Sequence, residues 1–233
     1  MNLIELMVSS VLSLFLLAVT ISFYQQQRNN YAHQENIAIL QENARFATHI
    51  LQSEIQIAGY MGCQRLDENI HKDMLPIEGT ENTVIISHMD TQSTELKTAP
   101  KKGDIFLDIA SDKGFKKDDE IIIADCVSMQ KVIIVDEPRG ILKIKPKLAY
   151  NFTKEAQVGR WVRSKFEIID KKLYWKDFGR LNAPAAMVEG IEKMVIQYSR
   201  FEGKISHVQI ALLLTADTLQ REWNMDIVLR ERL

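Results

Sequence analysis

The first 27 residues contain no lysine or arginine, and the first 58 contain neither glycine nor proline. The first absence removes the basic segment that precedes the apolar core of a secretory signal. Nothing resembling A-x-A follows that core either, so the start of the chain does not read as a cleaved signal. The second absence leaves nothing to break a helix before Gly59. Cysteine is scarce: Cys63 and Cys126 are the only two, and their spacing fits no C-x-x-C redox or zinc pattern. They make one disulfide in an oxidising compartment and two thiols in a reducing one.

An excess of basic charge is missing too. Twenty-nine Lys and Arg face 31 Asp and Glu, for a net charge of −2. This argues against a chain built as a whole to neutralise phosphates, although local patches survive such averaging. Two are visible, Lys113, Lys116 and Lys117, and Lys143, Lys145 and Lys147; a solvated face is the plainer reading of both. His33, His49, His71, His88 and His207 form no H-x-x-x-H or H-E-x-x-H pair, which favours structural or solvated roles over a metal centre. Asp104, Asp108 and Asp112 and the run Lys116–Glu120 lack the glycine and distal glutamate of a calcium loop, so they too read as solvated faces. There is no G-x-S-x-G, P-loop or dinucleotide fingerprint. The expectation is a protein without catalytic residues, metal or cofactor. The "NFT" at Asn151 is a sequon short enough to arise by chance. Trp161, Trp175 and Trp223 read as core or interface aromatics.

What is present is, first, a long apolar run. No charge occurs from Leu6 to Tyr24, about the length that spans a bilayer as a helix. Beyond it, Ile37, Leu40, Ala44, Ala47, Leu51, Ile55 and Ala58 recur at spacings of three and four. Glu35, Asn36, Glu42, Asn43, His49 and Gln56 lie off that stripe. The pattern predicts one helix from about residue 3 to about residue 58, roughly 80 Å long. Its first half suits a membrane and its second half suits packing on a soluble domain. A coiled coil is disfavoured, because only three heptads are present and the seam is largely alanine. Glu5 is the anomaly. A carboxylate in hydrocarbon needs a proton or a cation, and no Lys or Arg is near. The N-terminal amine of another copy would serve.

After Gly62 the period changes. "TVIISHM", "DIFLDIA", "EIIIAD", "KVIIVD", "ILKIK", "WVRSKFEIID", "KLYW", "MVIQYS", "HVQIALLLTA" and "MDIVL" read as strands. "EGTEN", "SDKGF", "DEPRG", "FGRLNAP" and "FEGK" read as turns, "IIDKKLYW" as a hairpin, and "TADTLQREWN" as a loop or short helical turn. The expected class is α+β, a long helix acting as lid on one face of a mostly antiparallel sheet.

"LIELM" followed by an uncharged run resembles the start of a mature type IV pilin. That resemblance implies a pilin fold. It also implies that Met1 is the mature N-terminus, N-methylated after a leader ending in glycine is removed, and that Glu5 is the assembly carboxylate. Met1 and Asn2 stand where that family usually has Phe and Thr, and Ser22 stands where it often has a kinking proline. "ARFATHILQSEIQIAGYMGC" is similar to the helix end of PilW-type minor pilins, and "DEIIIADCVSMQKVIIV" to their second-cysteine strand. "VGRWVRSKFEIIDKKLYW", "MVEGIEKMVIQY" and "LRERL" are similar to later segments. The resemblance covers nearly the whole chain and is thinnest from about Gln64 to Ala99.

It implies a helical region, 1–58, with about 3–24 in the inner membrane and about 31–58 packed on a β-rich globular region, 59–233. That region lies in the periplasm first and at an extracellular pilus tip after assembly. There Cys63 and Cys126 can oxidise, and a bridge closing a loop of about 60 residues would stabilise the fold by roughly 4 kcal/mol by the chain-entropy argument. The implied function is structural: a minor pilin that helps start the pilus and supports adhesion or motility. Its partners would be other minor pilins, the major pilin, a tip adhesin, the assembly machinery and the lipid bilayer, with nucleic acid disfavoured. A J-type minor pseudopilin of type II secretion is the near alternative. A membrane-tethered extracytoplasmic binding module is the remote one.

Overall fold

The computed structural model describes residues 3–65, 74–112, 114–137, 140–179, 183–201 and 204–229. Among the described residues, one helix, α1 (Leu3–Gln56), is followed by fifteen strands. They are β1 (Tyr60–Met61), β2 (Gln64–Arg65), β3 (Ile77–Thr80), β4 (Thr83–Met89), β5 (Thr94–Glu95), β6 (Phe106–Asp108), β7 (Glu120–Ala124) and β8 (Met129–Asp136). The rest are β9 (Ile141–Lys145), β10 (Gln157–Ile169), β11 (Lys172–Asp177), β12 (Ala185–Glu189), β13 (Ile191–Phe201), β14 (Lys204–Ala216) and β15 (Leu219–Val228). Every strand pairing among the described residues is antiparallel.

The helix stops where its sequence permits it to. Gly59 (φ 72°) and Gly62 (φ 76°) take left-handed conformations that cost other residues more. The Gly59 amide donates to the Ser87 carbonyl at 2.8 Å, which seats the helix end on β4. Leu40, Ala44, Ala47, Leu51, Ile55 and Ala58 are all buried. The stripe meets Val84, Ile86, Phe166, Leu173 and the inward residues of β13–β15, including Val208, Ile210, Leu212 and Leu214, in one core. Alanine at three of six buried stripe positions lets the helix lie close on β12, β14 and β15. The α+β class, a long helix on mostly antiparallel sheet, is the observed one.

The lid covers less than the sequence pattern suggests. β10 is thirteen residues long and serves two sheets. Its C-terminal part pairs with β4 and β11 beneath the helix-covered core, while Gln157–Arg160 pair with β7 and Gln157–Val158 with β5. From there the ladder runs β10–β7–β8–β9–β6. It returns to β5 through the Leu96–Ile109 bridge and the bonds Ala110 N to Glu95 O and Lys97 N to Asp108 O, both 2.8 Å. Residues 94–160 thus close into a small barrel. It is filled by Leu107, Ile121, Ile123, Val132, Ile134, Leu142, Ile144 and Val158, with Phe115, Leu148 and Phe152 from the connections. Closure satisfies the edges that short strands would otherwise leave open. A third, methionine-rich cluster joins barrel to helix end: Met61, Met74, Met89, Ile122, Met129 and Trp161.

Other differences are local. "TADTLQREWN" is neither loop nor helical turn. β14 and β15 form a hairpin around Asp217 (φ 52°), and Trp223, Met225 and Ile227 continue an inward period of two. "DIFLDIA" keeps strand geometry only at Phe106–Asp108 and the Ile109 bridge. β1, β2, β3, β5 and β12 were not expected from the pattern. The Asp170–Lys171 turn does join β10 to β11, with φ of 50° and 59°.

Candidate assembly site

The two halves of α1 have the same backbone and opposite surroundings. α1 contains a window of mean hydropathy 2.3 with none of its residues buried, so it is long and apolar enough to cross a membrane. Serine and threonine do not spoil it: Ser9, Ser10, Ser13, Thr20 and Ser22 each return the hydroxyl to a carbonyl three or four residues earlier, at 2.8–3.0 Å. Glu5 lies within the helical backbone, and its side chain and Met1 lie outside what is described. His71, Lys113 and most of "LRERL" are outside it as well.

Past the apolar segment, polar ties hold the helix to the sheet. Asn43 donates to the Glu189 carbonyl at 3.0 Å. The chain there turns through Gly190 (φ 74°), where an added Cβ would stand 2.6 Å from the Thr215 carbonyl. Glu54 presents a buried Oε2 3.9 Å from His88 Nε2. His88 Nδ1 donates to the Met89 carbonyl at 2.9 Å. Arg160 binds Asp90 at 2.8 Å beside the methionine cluster. Two pKa shifts accompany the packing. Burial, with a contribution from Glu78, pushes Tyr198 up, and the hydrogen bond and charge of Glu189 raise Lys172.

The helix also carries a second apolar stripe that the sequence reading missed. Tyr24, Tyr31, Ile39 and Phe46 follow one another at seven or eight residues and are 69%, 72%, 43% and 48% exposed. At about 100° per residue they lie roughly opposite the buried stripe. That spacing is the signal that was available. The stripe continues the apolar surface of the first half of α1, and no part of the described chain covers it. A groove runs along its flank, lined by Glu42, Arg45, Phe46, His49 and Gln52 on α1 and by Trp223 on β15.

Cys63 and Cys126 come to disulfide distance, with Cα atoms 5.1 Å apart, and tie the helix end to the β7–β8 turn. The carboxylates with four-residue spacing do separate jobs. Asp104 accepts from the Lys101 amide and Asp112 from the Gly114 amide, both at 2.8 Å, while Asp108 pairs with Lys97 at 3.3 Å. Asn151 Oδ1 accepts from the Lys102 amide at 2.8 Å. Among the described residues, no three His, Cys, Asp or Glu side chains gather to hold a metal ion. Trp161 is buried, and Trp175 and Trp223 pack against the helix-covered core.

No known protein family, curated protein or solved structure matches the chain. A single long apolar N-terminal helix laid on antiparallel sheet is compatible with a pilin-like fold.

Proposed function

We propose that the chain is a structural subunit of a membrane-assembled filament, a minor pilin of the PilW type, with a mechanical rather than catalytic role. The observation that carries this reading is the unpartnered side of α1. A bilayer can cover the apolar half, but the stripe continues through Tyr31, Ile39 and Phe46 beyond any bilayer. Parallel helices of neighbouring subunits would cover both parts with one kind of contact. The sequence supports the reading independently, since Glu5 stands at the position where a pilin offers its carboxylate. In the filament Glu5 would meet the N-terminal amine of a neighbour. Two opposite charges in hydrocarbon attract far more strongly than in water, and a misaligned pair is heavily penalised. That contrast would set axial register. Before assembly the bilayer holds the subunit at the inner membrane. Afterwards the globular region would stand at the tip, beside other minor pilins and an adhesin.

The test replaces Glu5 by Ala in the full chain. The expected outcome is normal membrane insertion and an unchanged thermal transition of the globular region, with piliation sharply reduced. Wild-type piliation and wild-type incorporation of the variant would overturn the role given to Glu5.

A further inference from the structure

The outer wall of the distal barrel is basic and carries exposed aromatics. β9 buries Leu142 and Ile144 in the barrel, so Lys143 and Lys145 point outward, and Lys147 follows on the exposed stretch beyond. At about 3.3 Å per residue, the alternate positions Lys143 and Lys145 lie about 6.6 Å apart, and Lys147 lies past the end of the strand. The step from Lys143 to Lys145 is comparable to the distance between successive phosphates of an unstacked nucleic-acid strand. Phe106 on β6 sits directly across from Lys143 in the ladder, on the same face, and is 52% exposed. Ile133 on β8 sits across from Lys145.

At the other end of the lysine row, the loop carrying Lys101 and Lys102 is fastened beside it. Gly103 donates to the Leu148 carbonyl and the Lys102 amide donates to Asn151. Tyr150, 47% exposed, stands there edge-on to buried Phe152 at 6.5 Å. None of these five lysines makes an ion pair among the described residues. Of the nearby carboxylates, Asp104 is held by the Lys101 amide, and Asp136 lies across from Lys143 in register. The other basic patch is different: Lys116 and Lys117 run directly into Asp118, Asp119 and Glu120, and Asp119 accepts from the Lys116 amide.

The geometry points to this wall as a binding site for single-stranded nucleic acid, with the lysine row on the phosphates and Phe106 and Tyr150 under unpaired bases. Closely grouped cations without ion-pair partners among the described residues suit a polyanion, and exposed rings suit π-faced bases of any sequence. An acidic protein surface would use the charges without the rings, and the test separates the two. The site stands apart from the filament reading, because a chain that never enters a filament presents the same wall.

The experiment uses the full chain in zwitterionic nanodiscs, with fluorescein-labelled dT20 as probe and fluorescence anisotropy as readout. Binding should weaken with salt at a log–log slope of about −2 to −3.5, the range for three to five phosphate contacts to a single strand. The triple change Lys143→Glu, Lys145→Glu and Lys147→Glu should weaken binding by about 100-fold or more. Phe106→Ala should weaken it about fivefold or more at an unchanged salt slope. All four substitutions are on the exposed wall, and an unchanged melt confirms that each variant is folded. Absence of binding at 50 mM salt overturns the proposal, as does retention of binding in the triple variant. Insensitivity to Phe106→Ala, with heparin or polyglutamate competing as well as unlabelled dT20, overturns it in favour of an acidic partner.

Discussion

Beneath α1, the inward faces of β12, β14 and β15 are closed by a helix that arrives from outside the sheet. In the distal barrel, Ile121, Ile123, Val132 and Ile134 are closed by the same sheet curling until β5 meets β6. The two cores use the same residue types, and their dependence on the rest of the chain differs. The first needs residues about forty to fifty positions from the N-terminus. The second is assembled from one continuous stretch, so its contacts are more local and its opening does not require the helix to leave.

The largest effect should come from placing a charge in the first core. Leu51→Asp puts a carboxylate at a fully buried position facing apolar neighbours, at a cost of more than about 4 kcal/mol. Hydrogen exchange should show α1 and β13–β15 losing protection while β7–β9 keep theirs. Equal loss in both regions would mean that the cores are one cooperative unit. Next comes the tie between them. Replacing Cys63 and Cys126 by Ser should lower stability by about 4 kcal/mol in the chain-entropy estimate, read as a drop in denaturant midpoint. An unchanged midpoint would show that the methionine cluster alone holds barrel to helix.

A smaller change probes the barrel by itself. Ile123→Val removes one buried methylene at 0% exposure and should cost about 0.5–1.5 kcal/mol. Exchange should quicken in β7–β9 with α1 unaffected. The smallest effect at neutral pH belongs to Tyr198, which packs against the helix-covered core with a buried hydroxyl that has no hydrogen-bond partner among the described residues. Its folded-state pKa is raised above 10.0, so its contribution is intact below pH 10 and falls as pH rises through the folded value. Tyr198→Phe should change stability by less than about 1 kcal/mol at pH 7 and flatten the alkaline decline. Chemical denaturation at pH 7 and pH 10.5 checks both.

The same contrast explains what was legible in the sequence. The helix and its buried stripe were readable because a period of 3.6 over twenty residues is a local signal, and Gly59 marks its end. β4, β7, β9 and the β10–β11 hairpin were readable as β-branched runs between turn residues. Barrel closure was not. It rests on two- and three-residue strands and on Leu96 meeting Ile109, contacts that carry no periodicity. The hairpin at Asp217 was hidden because Gln220, Arg221, Glu222 and Asn224 make a polar edge strand resemble a loop. The cysteine pair was visible in advance as two lone cysteines. The Tyr24–Phe46 stripe was overlooked because it is sparse and shares its face with Arg28, Glu35 and Glu42.

The Cys63–Cys126 tie has a consequence for tension. A chain held by α1 and pulled through residues beyond Cys126 transmits the load across covalent bonds from the helix end straight to the β7–β8 turn. The 63-residue separation between the cysteines, which includes β2 to β7, lies off that path. Were the tie absent, those residues would be free to pay out about 210 Å of contour at roughly 3.4 Å each. With it in place, β3, β4 and the first half of the barrel lie off the covalent path that carries the load.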